Sequence, residues 1–177
     1  MSEKLGFIHL YTGDGKGKTT AAIGLAVRAA GAGMKVVFAQ FMKGRDTSEL
    51  NSLSIIEGIT IVRNNTDLGW YKKDDLEQTK EYTKVHNEIL DEIETLIMNR
   101  QCDVLILDEV TYPYNYGIID KERLEKLIED GPEDMEIVLT GRDAPDFMSE
   151  SADYITNMQK IKHPYDKGID AREGIEF

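Results

Sequence analysis

The chain has 177 residues, 41% of them hydrophobic, with 21 Lys and Arg against 33 Asp and Glu and a formal charge of −12. That length fits one compact α/β domain burying roughly two thirds of its unfolded surface, which argues against global disorder and against any need for metal or disulfide staples. The acidic balance repels nucleic-acid backbones and anionic membranes. The lone Cys102 cannot form an intrachain disulfide, and neither a leader nor an apolar run of roughly 18 residues stands out, so a cytoplasmic protein without nucleic-acid or membrane partners is expected.

Phe7 to Tyr11 is a short β-prone run ending in Thr12-Gly13, and Lys18 to Ala30 has the Ala-rich, Pro-free composition of a helix that packs closely on a sheet. Lys35 to Phe41 and Gly58 to Arg63 read as the second and third strands, nearly continuous in β-branched or aromatic residues, as strands covered on both faces are. Asp74-Asp75 opens a long helix reaching about Arg100, with Tyr82, Val85, Ile89, Ile93, Leu96 and Ile97 on one face. Cys102 to Leu107 is a buried-type strand ending at Asp108-Glu109. An aromatic loop with Tyr112, Tyr114 and Tyr116, a helix near Lys121 to Glu129 and a strand at Glu136 to Thr140 follow. The four prolines are scattered and mark no linker, so residues 1–177 read as one domain. The alternation predicts a mostly parallel sheet with helices on both faces, its ligands at the carboxyl ends of the strands.

Every strong motif falls at such an end. Thr12 to Thr20 reads TGDGKGKTT, a relative of the phosphate-binding loop, in which glycines let backbone N–H groups converge on phosphate oxygens. Lys18 would direct its ammonium at those oxygens, Thr19 would offer a hydroxyl to Mg²⁺, and the start of the helix adds a positive field. The spacing departs from the usual one: Thr12 stands where the first glycine is normally found, Gly13 and Gly15 precede Gly17, and Lys16 is an extra cation. An ordinary nucleotide pose therefore does not follow. The LILDE at 105–109 delivers two carboxylates to the same edge, with Glu109 or Asp108 a Mg²⁺ ligand.

These segments form an ordered series with QFMKG at 40–44, LGW at 68–70, LDEVTY at 107–112, LTGRDAP at 139–145 and KHPYDKGIDAREGIEF at 162–177. The series strongly resembles the P-loop type ATP:cob(I)alamin adenosyltransferases over essentially the whole chain. The resemblance implies a RecA-like, three-layer α/β fold, usually as a homodimer. It implies attack by a corrinoid Co(I) on the 5′ carbon of ATP, release of triphosphate, and ATP lying reversed relative to most P-loop proteins. It carries the loop contacts onto Thr12, Gly13, Asp14, Gly15, Lys16, Gly17, Lys18, Thr19 and Thr20, with Asp14 where some members have Asn. It carries Mg²⁺ onto Thr19 and Glu109, and a polyphosphate contact onto Arg142.

The resemblance also implies an apolar wedge against the lower corrin face. Trp70 matches one of the family's pair, Leu68 stands where an aromatic is found in well-known members, and a contribution from Tyr71 is left open. A flavoprotein is the implied electron donor. Six residues precede the first strand, where some members fold a longer extension over the site. Alkyl transfer to cobalt needs no protein general base, so the chain's lack of a nucleophile–base set agrees with that chemistry. An ordinary ATPase or kinase, and an ATP-gated corrinoid carrier without turnover, are the rival readings. His9, His86 and His163 are expected in structural or rim positions, not as cobalt ligands.

Overall fold

The computed structural model describes residues 6–176. Strands β1 (Ile8–Thr12), β2 (Val36–Gln40), β3 (Ile59–Arg63), β4 (Val104–Asp108), β5 (Glu136–Thr140) and β6 (Tyr154–Asn157) form one sheet in the order β3-β2-β4-β5-β1-β6, with every pairing parallel. Helices α1 (Lys18–Gly31), α2 (Ser48–Leu53), α3 (Leu76–Met98), α4 (Thr111–Tyr116), α5 (Lys121–Glu129) and α6 (Asp146–Ser151) connect them, and a 3₁₀ turn spans Pro164–Lys167.

The central strands are apolar throughout because each supplies two cores. Val37 and Ala39 of β2, with Leu105 and Leu107 of β4, pack among Ile89, Leu90 and Ile93 of α3 and Leu124 of α5. The alternate residues Val36, Phe38, Val104 and Ile106 meet Ala22, Ala26 and Ala29 of α1 on the other face. Alanines at that spacing let α1 lie close to the sheet and hold the loop before it against the end of β1. The three-layer α/β expectation is met.

Helix α3 opens where the sequence indicates, with the Asp75 carboxylate accepting from Gln78 N at 3.0 Å. It ends two residues before the expected Arg100, which lies at φ 54°. The bounds of α5 and β5 are those expected. The aromatic stretch after β4 is not a loop but α4: Pro113 falls in its first turn, where no intrahelical N–H is required, and Gly117 closes it at φ 67°. Among the described residues no helix is long and apolar enough to cross a membrane.

Candidate active site

The glycine loop leaves β1 and is pinned to the chain that follows β6. Gly15 N donates to Met158 O at 2.6 Å, and a Cβ at Gly15 would stand equally close to that oxygen. Gly17 caps α1 at φ 118°, a conformation that L side chains rarely adopt. Met158 N donates to Thr12 O at 2.9 Å and fixes the start of the loop. Asp14, the departure from Asn, accepts from Lys160 N at 3.0 Å, and that bond holds its carboxyl below the usual range. Its charge is engaged in tying the loop to the segment beyond β6. Lys18 folds back over the loop, its Nζ donating to Gly13 O at 2.7 Å and Gly15 O at 2.8 Å. Burial and then the Arg142 guanidinium press its pKa down, against the pull of Glu109, Asp14 and Asp108.

The two acids at the end of β4 have different surroundings. Asp108 is fully buried, its Oδ1 accepting from Thr19 Oγ1 and Thr140 Oγ1, each at 2.8 Å, and its Oδ2 from Lys43 Nζ at 3.0 Å. Glu109 adopts φ 61°, with its N–H donating to Thr140 Oγ1 at 2.9 Å. Its side chain keeps 32% exposure, and its Oε1 stands 3.8 Å from Lys43 Nζ. Burial pushes its pKa up to about 7, and Lys43 works in the opposite direction. With Thr19, Thr20 and Lys43 it lines a cleft of ≈420 Å³ that also runs past α2 and residues 174–176.

Lys43 is the residue that reading the sequence left without a role. It sits at 3.0 Å from Asp108, 3.7 Å from Glu49 and 3.8 Å from Glu109; burial opposes its charge, but the carboxylates prevail and raise its pKa. The available signal was QFMKG at the end of a buried strand, since β2 pairs with β4 so that Gln40 is opposite Asp108. Gln40 Nε2 donates to Glu49 Oε1 at 3.0 Å, drawing α2 toward the site. Arg63 braces the same segment through the carbonyls of Lys43 and Arg45 at 3.3 and 2.8 Å.

Met42, at φ 58°, is held by His86. Met42 N donates to His86 Nε2 at 3.4 Å, and His86 Nδ1 bonds Ile118 O at 2.9 Å, so the ring is neutral with its proton on Nδ1. Burial lowers its pKa from 6.5 to about 4. The unfolded chain therefore takes up the proton first, and the stability His86 confers is complete above pH 6.5 and lost as pH falls from 6.5 to about 4. Over that window the contribution is about 3 kcal/mol. Denaturant unfolding across this range is expected to show the stability gap between wild type and His86→Gln narrowing toward acid; a constant gap would contradict the assignment.

The LGW segment lies beyond β3. Gln78 Nε2 donates to Leu68 O at 2.8 Å, and Tyr82 OH donates to Gly69 O at 2.6 Å, anchoring the turn to α3. Leu68 is half-buried in a depression bounded by Met42, Lys43 and Gly44. Trp70 lines a neighbouring hollow of ≈170 Å³ with the same three residues and is 87% exposed, so it is no core anchor. Tyr71 instead stacks on Tyr116 at 5.0 Å. Arg142 is exposed on another side of the loop, in a cleft of ≈540 Å³ with Asp14, Lys160, His163, Tyr165 and Asp166. Its position follows from Gly141, where a Cβ would collide with the Thr111 side chain. The structure thus brings the loop, Glu109 and Arg142 to one sheet edge, with Lys43 lining both the Thr19–Glu109 cleft and the Trp70 hollow.

A glycine loop opening a helix from a parallel strand, opposed by an acidic strand end, defines a P-loop NTPase-like α/β protein. Similarity to a solved structure agrees on the fold alone: EssC (ATPases 2 and 3) from Geobacillus thermodenitrificans superposes with a TM-score of 0.50 at 14% identity, over 97% of this chain and 35% of that one. Residues 4–177 match the family model for ATP:corrinoid adenosyltransferase BtuR/CobO/CobP, and the chain belongs to that family. The corrinoid adenosyltransferase of Escherichia coli K12 is 30% identical over 175 residues, 99% of this chain and 87% of its own length. That of Sinorhizobium sp is 31% identical over 183 residues, 99% and 82% respectively.

Proposed function

We propose that this protein, acting as a single domain, transfers the 5′-deoxyadenosyl group of ATP to the Co(I) of a corrinoid and releases triphosphate. The family match over the whole chain carries the reading, and the Lys43 bridge between the loop cleft and the Trp70 hollow supports it. In the reaction the C5′–O5′ bond of ATP breaks, its electron pair leaves on the triphosphate oxygen, and the cobalt–carbon bond forms. Lys18, Lys16, Arg142 and the N–H groups of residues 12–20 stabilise the charge of that leaving group. The nucleophile is the corrinoid substrate's own metal, so the protein's task is to align the partners and exclude water.

Mg²⁺ fits Thr19 and Glu109. Glu109 is the more accessible acid, since all three of Asp108's hydrogen bonds lie within the protein. Mg²⁺ is held in such sites by one or two protein oxygens, which the Thr19 hydroxyl and the Glu109 carboxyl would supply. When bound, Mg²⁺ neutralises polyphosphate charge. Lys43 stands between the two acids, 3.0 Å from Asp108 and 3.8 Å from Glu109, a single cation shared by both.

Leu68 and Trp70 press on the lower face of the corrin. The protein acts in the cytoplasm, as a homodimer served by a flavoprotein reductant. Trp70→Ala is expected to slow adenosylation that depends on reduction of the bound corrinoid by about a hundredfold. With chemically pre-reduced cob(I)alamin the loss is expected to stay within about threefold, because the axial face then matters less. Adenosylcobalamin formation is read by its light-sensitive absorbance under anaerobic conditions, and equal losses in both assays would remove the axial role from Trp70.

A further inference from the structure

We propose that Glu176 is a specificity-determining residue of the phosphate loop, an internal anion that opposes the triphosphate product more strongly than it opposes ATP. The inference rests on the adenosyltransferase reading above. Residues 172–176 form a turn against the loop: Arg172 N and Nε donate to Glu176 Oε2 at 2.9 and 3.2 Å, and its Nη2 donates to Oε1 at 3.0 Å. The same Oε1 stands 3.6 Å from Lys16 Nζ, and Gly174, Ile175 and Glu176 line the cleft that holds Thr19, Thr20 and Glu109. An acid that already has a guanidinium partner is thus aimed at the extra cation of the glycine loop. The guanidinium holds the Glu176 carboxyl down at about 2, so it remains an anion throughout the working pH range.

Lys18 and Lys16 divide the work. Lys18 bonds the loop's own carbonyls, whereas Lys16 pairs with Glu176. A polyphosphate that takes up Lys16 must displace this carboxylate or share the cation with it. The repulsion scales with the ligand's charge. Cleavage of C5′–O5′ leaves triphosphate with one more ionisable oxygen than the same chain carries in ATP, so a fixed anion beside the loop penalises product more than substrate. Glu176 thereby favours release of the product over release of the substrate.

The test measures calorimetric binding of ATP and of sodium tripolyphosphate to the full chain, at one fixed Mg²⁺ concentration, in wild type, Glu176→Gln, Glu176→Ser and Glu176→Asp. Both neutral variants are expected to bind tripolyphosphate about tenfold more tightly and ATP about threefold more tightly, while Glu176→Asp keeps the wild-type ratio. In a Lys16→Gln background the effect of Glu176→Gln should shrink. Equal gains for the two ligands, no gain for tripolyphosphate, or weaker binding of both would overturn the proposal, the last by making Glu176 a support for Lys16. If the wild type binds both ligands and the ratio does not move, this inference alone fails. If the wild type binds neither, the adenosyltransferase reading fails with it.

Discussion

Lys18→Ala is expected to lower adenosyl transfer at least a thousandfold, about 4 kcal/mol of transition-state stabilisation, while leaving the fold intact. The ammonium is only partly buried and bonds the carbonyls of Gly13 and Gly15, so it both shapes the loop and places a positive charge where the loop's N–H groups would converge on phosphate oxygens. The transition state adds negative charge to the departing triphosphate, and this cation is bonded to the loop's own backbone. Arginine should not restore the rate: its planar fork is broader than the space between two carbonyls that a compact ammonium bridges. Single-turnover rates with pre-reduced cob(I)alamin at saturating ATP would measure the loss, with a melting curve to exclude unfolding. A variant that retained more than a tenth of the wild-type rate would remove Lys18 from the mechanism.

Asp108→Ala is expected to cost about 3–5 kcal/mol of stability, the largest effect of any single change at the site. Its carboxylate is fully buried and accepts from Thr19, Thr140 and Lys43 at 2.8, 2.8 and 3.0 Å. Truncation leaves a partly buried ammonium facing Glu49 and Glu109 at longer range and strands two hydroxyls. A chain of this size should then melt about 10 °C lower. Glu109→Ala is the contrast. That side chain is a third exposed and has no hydrogen bond as short as those of Asp108, so its removal should spare stability and abolish the Mg²⁺ dependence of turnover. Denaturant unfolding of both variants separates the roles, and a loss under about 1 kcal/mol for Asp108→Ala would contradict this account of the acid pair.

The parts of the fold that the sequence makes legible are those in which one local pattern decides the outcome. Strands β2 and β4 are apolar on both faces, α3 opens at its Asp75 cap, and the glycine loop needs a strand before it and a helix after it. Where tertiary contacts decide, the residues give less away. Strand β6 is exposed at every position and owes its place to backbone pairing with β1, so no apolar run announces it. Pro113 reads as a loop marker until the first turn of α4 accommodates it.

The site divides in the same way. The loop and the acidic strand end stand out as motifs, and the resemblance adds Leu68, Trp70 and Arg142. Thr140 does not stand out, although its hydroxyl joins Asp108 to the backbone of Glu109, because that bridge exists only through the placement of β5 beside β4. The central position of Lys43 likewise depends on β2 pairing with β4, and the separation of Asp108 from Glu109 depends on a backbone turn at φ 61°.

Which bond of ATP breaks can be read from ATP labelled with ¹³C at the 5′ carbon. Incubated anaerobically with the protein, Mg²⁺ and cob(I)alamin, the label is expected to leave its phosphate-ester resonance and appear as a cobalt-bound methylene, one equivalent for each triphosphate seen by ³¹P. A label that stays on a phosphate ester while ADP and phosphate accumulate, or that stays in intact ATP beside bound corrinoid, would contradict adenosyl transfer and leave an ATPase or a carrier in its place.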